Sequence, residues 1–192
     1  MFGETSWKTY GQVAEEAKAF GAGLLTLGLK PCPEATAASV VRDFAAFDGP
    51  HALVIFEETC ADWTTACIGA MGQSIAVATS YATLGMPAVA EALNQTQAPA
   101  ILCNSKDVER LAAFCEAQCK TLTTVIYTTN YVEDGSTAPP ASIGRLKVVS
   151  MAAVVEAGRA APAPFAPPTP DHVGLIMYTS GSTGKPKGAR MP

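Results

Sequence analysis

The chain has 192 residues, of which 48% are hydrophobic and 16% charged, and its formal net charge at pH 7 is −4. This length and hydrophobic content allow one substantial core and exclude an intrinsically disordered chain. The acidic balance argues against a general nucleic-acid binder, which needs a basic surface. The six cysteines show neither a CxxC pair nor Cys/His zinc spacing, so we expect reduced, mostly buried thiols in a reducing compartment.

One uncharged stretch, residues 63–90, is long enough to cross a bilayer. It contains Gln73, Ser74 and Pro87, and its hydrophobic period changes partway along. A buried helix, turn and strand explain it better, so we expect no transmembrane span. Glu4 and Lys8 also interrupt any apolar run that could form a secretory signal.

Helix and strand patterns alternate along the chain. Thr9 and Gln12 have the spacing of a capping box, which predicts an amphipathic helix from about Tyr10 to Leu27. Further helix starts are expected at Thr59, Pro87, Ser105 and Ser150. Apolar runs predict strands over residues 51–56, 74–79, 100–103, 123–128, 146–150 and 173–177. This alternation predicts an α/β fold with a parallel sheet flanked by helices.

The chain divides into three sections by composition. Residues 1–159 carry the alternating pattern and form an α/β subdomain. Residues 160–170, AAPAPFAPPTP, are predicted to be a proline-rich extended spacer. Residues 171–192 contain the last apolar strand and a glycine-rich loop.

The glycine-rich stretch YTSGSTGKPKG, residues 178–188, contains the residues that we expect to bind a ligand. From His172 to Pro192 there are three basic residues and no Asp or Glu. Glycines that admit a close ligand, hydroxyls and ammonium groups on one turn are the groups that bind a polyphosphate. The predicted phosphate-binding residues are Thr179, Ser180, Gly181, Ser182, Thr183, Gly184, Lys185, Lys187 and Gly188.

A nucleotide P-loop and a flexible linker both fit this stretch less well. The common nucleotide P-loop requires Ser or Thr directly after its Lys, whereas Pro186 follows Lys185 here. A flexible Gly/Ser linker has no reason to follow an apolar strand or to carry Pro-Lys-Gly.

The stretch resembles the phosphate-binding signature of the adenylate-forming (AMP-binding) superfamily over eleven consecutive positions. Ser182 stands where many members have Thr, which keeps the hydroxyl. The segment Trp7–Tyr10 resembles the first motif of the same superfamily. The helix, turn, strand and YATLG segment that ends at Gly85 is similar to its second motif in long-chain fatty acid–CoA ligases (acyl-CoA synthetases).

This resemblance implies a fragment, the incomplete N-terminal domain of an ATP-dependent long-chain fatty acid–CoA ligase. Its substrates would be ATP with Mg²⁺, a fatty acid and coenzyme A, and the adenylation lysine is expected downstream, so no catalytic residue is assigned here. No nucleic acid and no protein-held metal are expected. The parent enzyme is expected to be intracellular, either cytoplasmic or peripheral on an organelle membrane. Another adenylate-forming ligase, or a non-catalytic nucleotide-binding or interaction remnant, stays open.

Overall fold

The computed structural model describes residues 7–32, 51–81, 85–130, 137–179 and 187–191. Five helices lie in these ranges: α1 (Tyr10–Thr26), α2 (Ala61–Met71), α3 (Gly85–Thr96), α4 (Val108–Gln118) and α5 (Met151–Ala160). The strands are β1 (Ala52–Phe56), β2 (Ala76–Thr79), β3 (Ala100–Asn104), β4 (Thr124–Thr128), β5 (Ser142–Ile143), β6 (Leu146–Ser150), β7 (Leu175–Thr179) and β8 (Lys187–Met191).

All of these strands join one sheet in the order β5-β6-β4-β3-β1-β2-β7-β8. Every pairing from β6 to β7 is parallel, whereas β5 and β8 close the two edges as antiparallel partners. The central strands β1 and β3 are buried at every residue, as expected for a sheet covered on both faces. The predicted parallel sheet flanked by helices is confirmed, with two short antiparallel edges that the sequence patterns did not predict.

The helices form one layer on each face of the sheet. Helices α1, α2 and α5 pack on one face through Phe20, Ala66 and Val154, which share a core cluster with Leu53 and Ile55 of β1. Helices α3 and α4 cover the other face, where their buried residues share a second cluster with alternate residues of the same strands. We call these the α1 face and the α3 face.

Helix α1 lies unusually close to both of its neighbours. A Cβ atom added to Gly69 of α2 would lie 2.5 Å from the carbonyl oxygen of Ala17. One added to Gly158 of α5 would lie 1.8 Å from the carbonyl oxygen of Ala19. Glycine is therefore required at these two crossings because the helix backbones touch.

Two of the five predicted helix starts follow the expected capping chemistry, two do not, and α3 begins at Gly85, two residues before the predicted start at Pro87. The Thr9–Gln12 capping box is present at α1, and the Ser150 side chain accepts from the Ala153 N–H at 3.1 Å. Helix α2 is capped by the Cys60 thiol instead of Thr59, with Sγ 3.4 Å from the Trp63 nitrogen. At Ser105 the chain forms a short 3₁₀ turn capped by Asn104, and α4 begins only at Val108.

The proline-rich segment is fastened to the turn between α2 and β2. The Ala166 N–H donates to the Gly72 carbonyl at 2.8 Å, and the Ser74 hydroxyl donates to the Ala166 carbonyl at 2.7 Å. The Gln73 side-chain amide donates to the Pro164 carbonyl at 3.1 Å. The ring of Phe165 covers Gly72, where an added Cβ would lie 2.4 Å from Cε1. We call residues 162–170 the strap.

None of the helices within the described ranges is long and apolar enough to cross a membrane.

Candidate functional site

The glycine-rich stretch is held between the two antiparallel strands at one edge of the sheet. Strands β7 and β8 pair from Leu175 opposite Met191 to Thr179 opposite Lys187. Gly188 lies opposite Tyr178, one pair further from the loop. Of the predicted phosphate-binding residues, the structure brings together the backbones of Thr179, Lys187 and Gly188. The other six, Ser180, Gly181, Ser182, Thr183, Gly184 and Lys185, lie outside the described residues.

The base of the hairpin is at the carboxyl edge of the sheet. Because β1, β2 and β7 are parallel, the residues that follow each of them emerge at this same edge. The chain leaves β1 towards β2 through α2 on the α1 face, and it leaves the neighbouring β3 towards β4 through α4 on the α3 face, so the connections diverge between β1 and β3. Open α/β sheets bind ligands at carboxyl ends where successive connections diverge in this way. The predicted phosphate loop therefore emerges at the edge where this architecture favours a ligand.

A cavity of about 340 Å³ lies beside the hairpin base. Its apolar side is formed by Ile55, Leu175 and Met177 on the α1 face, together with Trp63 of α2. Its polar lining includes Glu57, Thr79 and Ser80. The buried hydroxyl oxygens of Thr79 and Ser80 have no hydrogen-bond partner within the part of the chain that the structure describes.

Glu57 is buried at the end of β1, and its carboxylate is held in place. The Thr128 hydroxyl donates to its Oε2, and the Glu58 N–H donates to its Oε1 at 3.0 Å. A buried carboxylate needs such donors to offset the cost of its desolvation. Glu57 was not predicted as a site residue, although a charged residue directly after a five-residue apolar strand is a usable signal.

A second set of polar contacts fixes the loops next to Glu57. The Asn130 amide donates to Asp62 at 2.8 Å and to the Cys60 thiol at 3.4 Å. The Asn104 amide donates to the Asn130 carbonyl at 2.7 Å. These bonds tie the start of α2 to the ends of β3 and β4. The described loops that follow β1, β3 and β4 are thus held together by hydrogen bonds at this edge.

Among the described residues, a small cavity lies at the opposite edge of the sheet. Its volume is about 10 Å³, and its lining includes Cys32, His51 and Val173. This volume is about that needed to hold one water molecule. It is too small for a nucleotide or an acyl chain, so the larger cavity beside the hairpin base is the better candidate of the two.

The cysteines are free thiols. Burial raises the pKa of the Cys103 and Cys67 thiols, which keeps them neutral and unreactive. A hydrogen bond from the Cys115 thiol lowers the pKa of Cys119, whose carbonyl accepts from the Arg145 guanidinium at 2.6 Å. Within the described ranges, no group of three or more His, Cys, Asp or Glu side chains could hold a metal ion.

Comparison with known proteins agrees with this architecture. The family model for AMP-binding enzymes matches residues 1–192. Long chain acyl-CoA synthetase 8 of Arabidopsis thaliana is 34% identical over 97% of this chain and 23% of the relative. Long chain acyl-CoA synthetase 6, peroxisomal, of the same plant is 28% identical over 97% of this chain and 24% of the relative.

A solved structure shares the fold at low sequence identity. The acetoacetyl-CoA synthetase from Streptomyces lividans superposes with a TM-score of 0.71 over 97% of this chain and 26% of its own, at 16% identity. The chain thus spans about a quarter of the length of the curated relatives it matches. From the family match over residues 1–192, the chain belongs to the adenylate-forming family of AMP-binding enzymes, with long-chain acyl-CoA synthetases among its relatives.

Proposed function

We propose that this chain supplies the phosphate-binding hairpin of an ATP-dependent long-chain fatty acid–CoA ligase. The observation that carries the proposal is the pairing of Thr179 with Lys187 at the carboxyl edge of the sheet. That pairing brings both ends of the glycine-rich stretch to the edge where α/β sheets bind ligands. The 34% identity to a long chain acyl-CoA synthetase supports the choice of acid.

The proposed chemistry has two steps. The fatty-acid carboxylate attacks the α-phosphorus of ATP, the bond to the β-phosphate oxygen breaks, and pyrophosphate leaves. The coenzyme A thiol then attacks the acyl carbon, AMP departs, and the thiol proton passes to solvent or a base. Mg²⁺ would enter with ATP as part of the substrate and would offset the negative charge of its phosphates.

The proposed task of the loop is to grip the β- and γ-phosphates. Negative charge grows on the leaving pyrophosphate as the α-phosphorus bond breaks, and donors fixed in advance stabilise that charge. We assign this role to Ser182, Thr183 and Lys187, and we give Lys185 a smaller part. The catalytic lysine and the adenine site would be supplied by sequence beyond this chain.

The proposal also includes where in the cell the enzyme is located. An enzyme of this kind is expected inside the cell, in the cytoplasm or peripherally on an organelle membrane. Two of the Arabidopsis relatives are named as peroxisomal.

A chimera tests the acid specificity and the activity together. Residues 1–192 replace the corresponding part of the Arabidopsis long chain acyl-CoA synthetase 8, and ATP–pyrophosphate exchange is measured. We expect exchange with palmitate and weak exchange with acetate or benzoate. Exchange that favours benzoate or acetate would assign the chain to another adenylate-forming ligase. A correctly folded chimera without exchange for any acid would support a non-catalytic remnant.

Two lysine variants of the chimera test the roles within the loop. Lys187→Ala removes a full charge from the proposed pyrophosphate site, and we expect a loss of about 10²–10³ in exchange rate. Lys185→Ala is the matched control and is expected to lose less. A crippled Lys185→Ala variant beside a nearly normal Lys187→Ala variant would refute the assignment. Two normal variants would leave the loop as a linker.

A further inference from the structure

The ring of Tyr178 lies against Gly188 on the neighbouring strand. A Cβ atom added to Gly188 would lie 3.1 Å from Cζ and 3.3 Å from Cε1 of that ring, and 3.0 Å from Cγ2 of Ile176. These distances are shorter than ordinary van der Waals contact. The glycine is therefore the residue that lets the aromatic ring lie across the hairpin, an arrangement known to stabilise glycine in strands.

The rest of β8 offers few apolar side chains that could set its register. The strand reads KGARM, so its only large apolar side chain is Met191. It pairs with β7 alone, at the end of the strand order. Hydrophobic alternation and short turns normally set strand register, and neither acts strongly on an edge strand joined through residues 180–186. A shift of two residues would bring Arg190 or Pro186 opposite Tyr178, where even a Cβ atom would lie closer to the ring than ordinary contact allows.

Tyr178 is itself pinned from the α3 face. Its side chain is only 2% exposed and shares a core cluster with Val89 and Leu93 of α3. Burial raises the pKa of its phenol, and the hydroxyl has no hydrogen-bond partner in the described part of the chain. The ring, and not the hydroxyl, therefore makes the contact with Gly188. Phenylalanine at this position should make the same contact.

We propose that Tyr178 is a positioning residue: its pinned ring, packed against Gly188, fixes the register of the β7–β8 hairpin and so holds Thr179 opposite Lys187. The consequence for phosphate binding rests on the proposed function. The role of Tyr178 in setting the register does not rest on the proposed function, because it follows from packing between residues that the structure describes. The two parts are therefore tested by separate measurements.

The first measurement is a thermal double-mutant cycle on the 192-residue chain. Gly188→Ala is expected to lower the Tm by about 2–6 °C, because the added methyl group would lie too close to the buried Tyr178 ring and to Ile176, which would have to shift. In the Tyr178→Leu background, Gly188→Ala should lower the Tm by less than half as much. Backbone NMR should show cross-strand NOEs between residues 178 and 188 in the parent, in Tyr178→Phe and in Tyr127→Leu. Equal costs in both backgrounds, or unchanged NOEs in Tyr178→Leu, would overturn the register role.

The second measurement is binding of inorganic pyrophosphate by calorimetry, at a temperature where all variants are folded. Tyr127→Leu is the matched control because Tyr127 packs on the same core from β4, away from the hairpin. We expect Tyr178→Leu to raise the Kd about tenfold or more, whereas Tyr178→Phe and Tyr127→Leu stay within about twofold of the parent. Equal weakening by both Leu variants would reduce Tyr178 to a general core residue. A parent chain that binds neither pyrophosphate nor ATP would count against the proposed function, while the thermal cycle would still decide the register.

Discussion

Gly158 offers a direct test of the close helix packing that supports the α1 face. In Gly158→Ala the new methyl carbon would lie 1.8 Å from the Ala19 carbonyl oxygen and 2.6 Å from the Gly23 nitrogen. Restoring ordinary contact requires α1 and α5 to separate by about 1.6 Å, since such contacts begin at 3.4 Å. Helix α1 cannot simply move away, because a Cβ atom on its Gly21 would already lie 2.4 Å from the Gly69 carbonyl oxygen of α2.

The magnitude follows from two opposing effects. Overpacking costs about 1–3 kcal/mol, and a clash between two backbones belongs at the upper end of that range. Replacing glycine by alanine inside a helix returns about 1 kcal/mol. We therefore expect the free energy of unfolding to fall by about 2 kcal/mol, which corresponds to a drop in Tm of about 4–8 °C for a chain of this size.

Urea unfolding followed by circular dichroism measures this change, with Gly11→Ala as the control. Gly11 is also in α1, but the nearest atom to its added Cβ is Thr9 Oγ1 at 3.8 Å, so only the helix-propensity gain should appear. The control should be as stable as the parent or up to about 1 kcal/mol more stable. If Gly158→Ala resists urea as well as the parent does, the helices are not in backbone contact and the close-packing account is refuted.

Three further outcomes are expected. Thiol titration of denatured, unreduced protein should find close to six free thiols, and two or fewer would show that disulfides form. Stability should fall as the pH rises above about 9, because burial raises the pKa of the folded Cys103 thiol above 9.0, its ordinary value in the unfolded chain; an unchanged urea midpoint at pH 10 would contradict this. The isolated chain should make no acyl-CoA from ATP, palmitate and coenzyme A, and a thioester product in a mass-spectrometric assay would refute the division of labour proposed above.

The elements that could be predicted from the sequence are those with strong local signals. The Thr9 capping box and the Ser150 hydroxyl cap each join residues three positions apart. A short stretch of sequence is therefore enough to predict them. The buried runs of β1 and β3 have no polar interruption and were placed to within a residue or two. Cys60 was missed as a cap because a thiol is a weak acceptor that is uncommon at this position.

The site was harder to predict because its parts meet across long stretches of chain. Glu57 and Thr128 are hydrogen bonded although 71 positions separate them, and no local pattern reports such a pair. Strand β7 pairs with β2 and not with β6, its predecessor in the chain. The sequence indicated which residues form the glycine-rich stretch. Which residues lie beside this stretch at the carboxyl edge depends on the order of the strands in the sheet. Hydrophobic periodicity along the chain does not predict that order.

The strap has a consequence for how the chain is assembled during synthesis. Gln73 and Ser74 are synthesised 91 and 92 residues before the strap residues to which they hydrogen bond. These bonds can therefore form only after most of the sheet has been synthesised. During that interval β2 is the outermost strand on its side, with an unpaired backbone edge and four residues that are buried in the finished fold. An open, apolar edge of this kind is a template for pairing with another nascent chain. A chain whose synthesis stalls before residue 175 would therefore expose this edge and be prone to aggregation, and pairing with β7 removes the hazard.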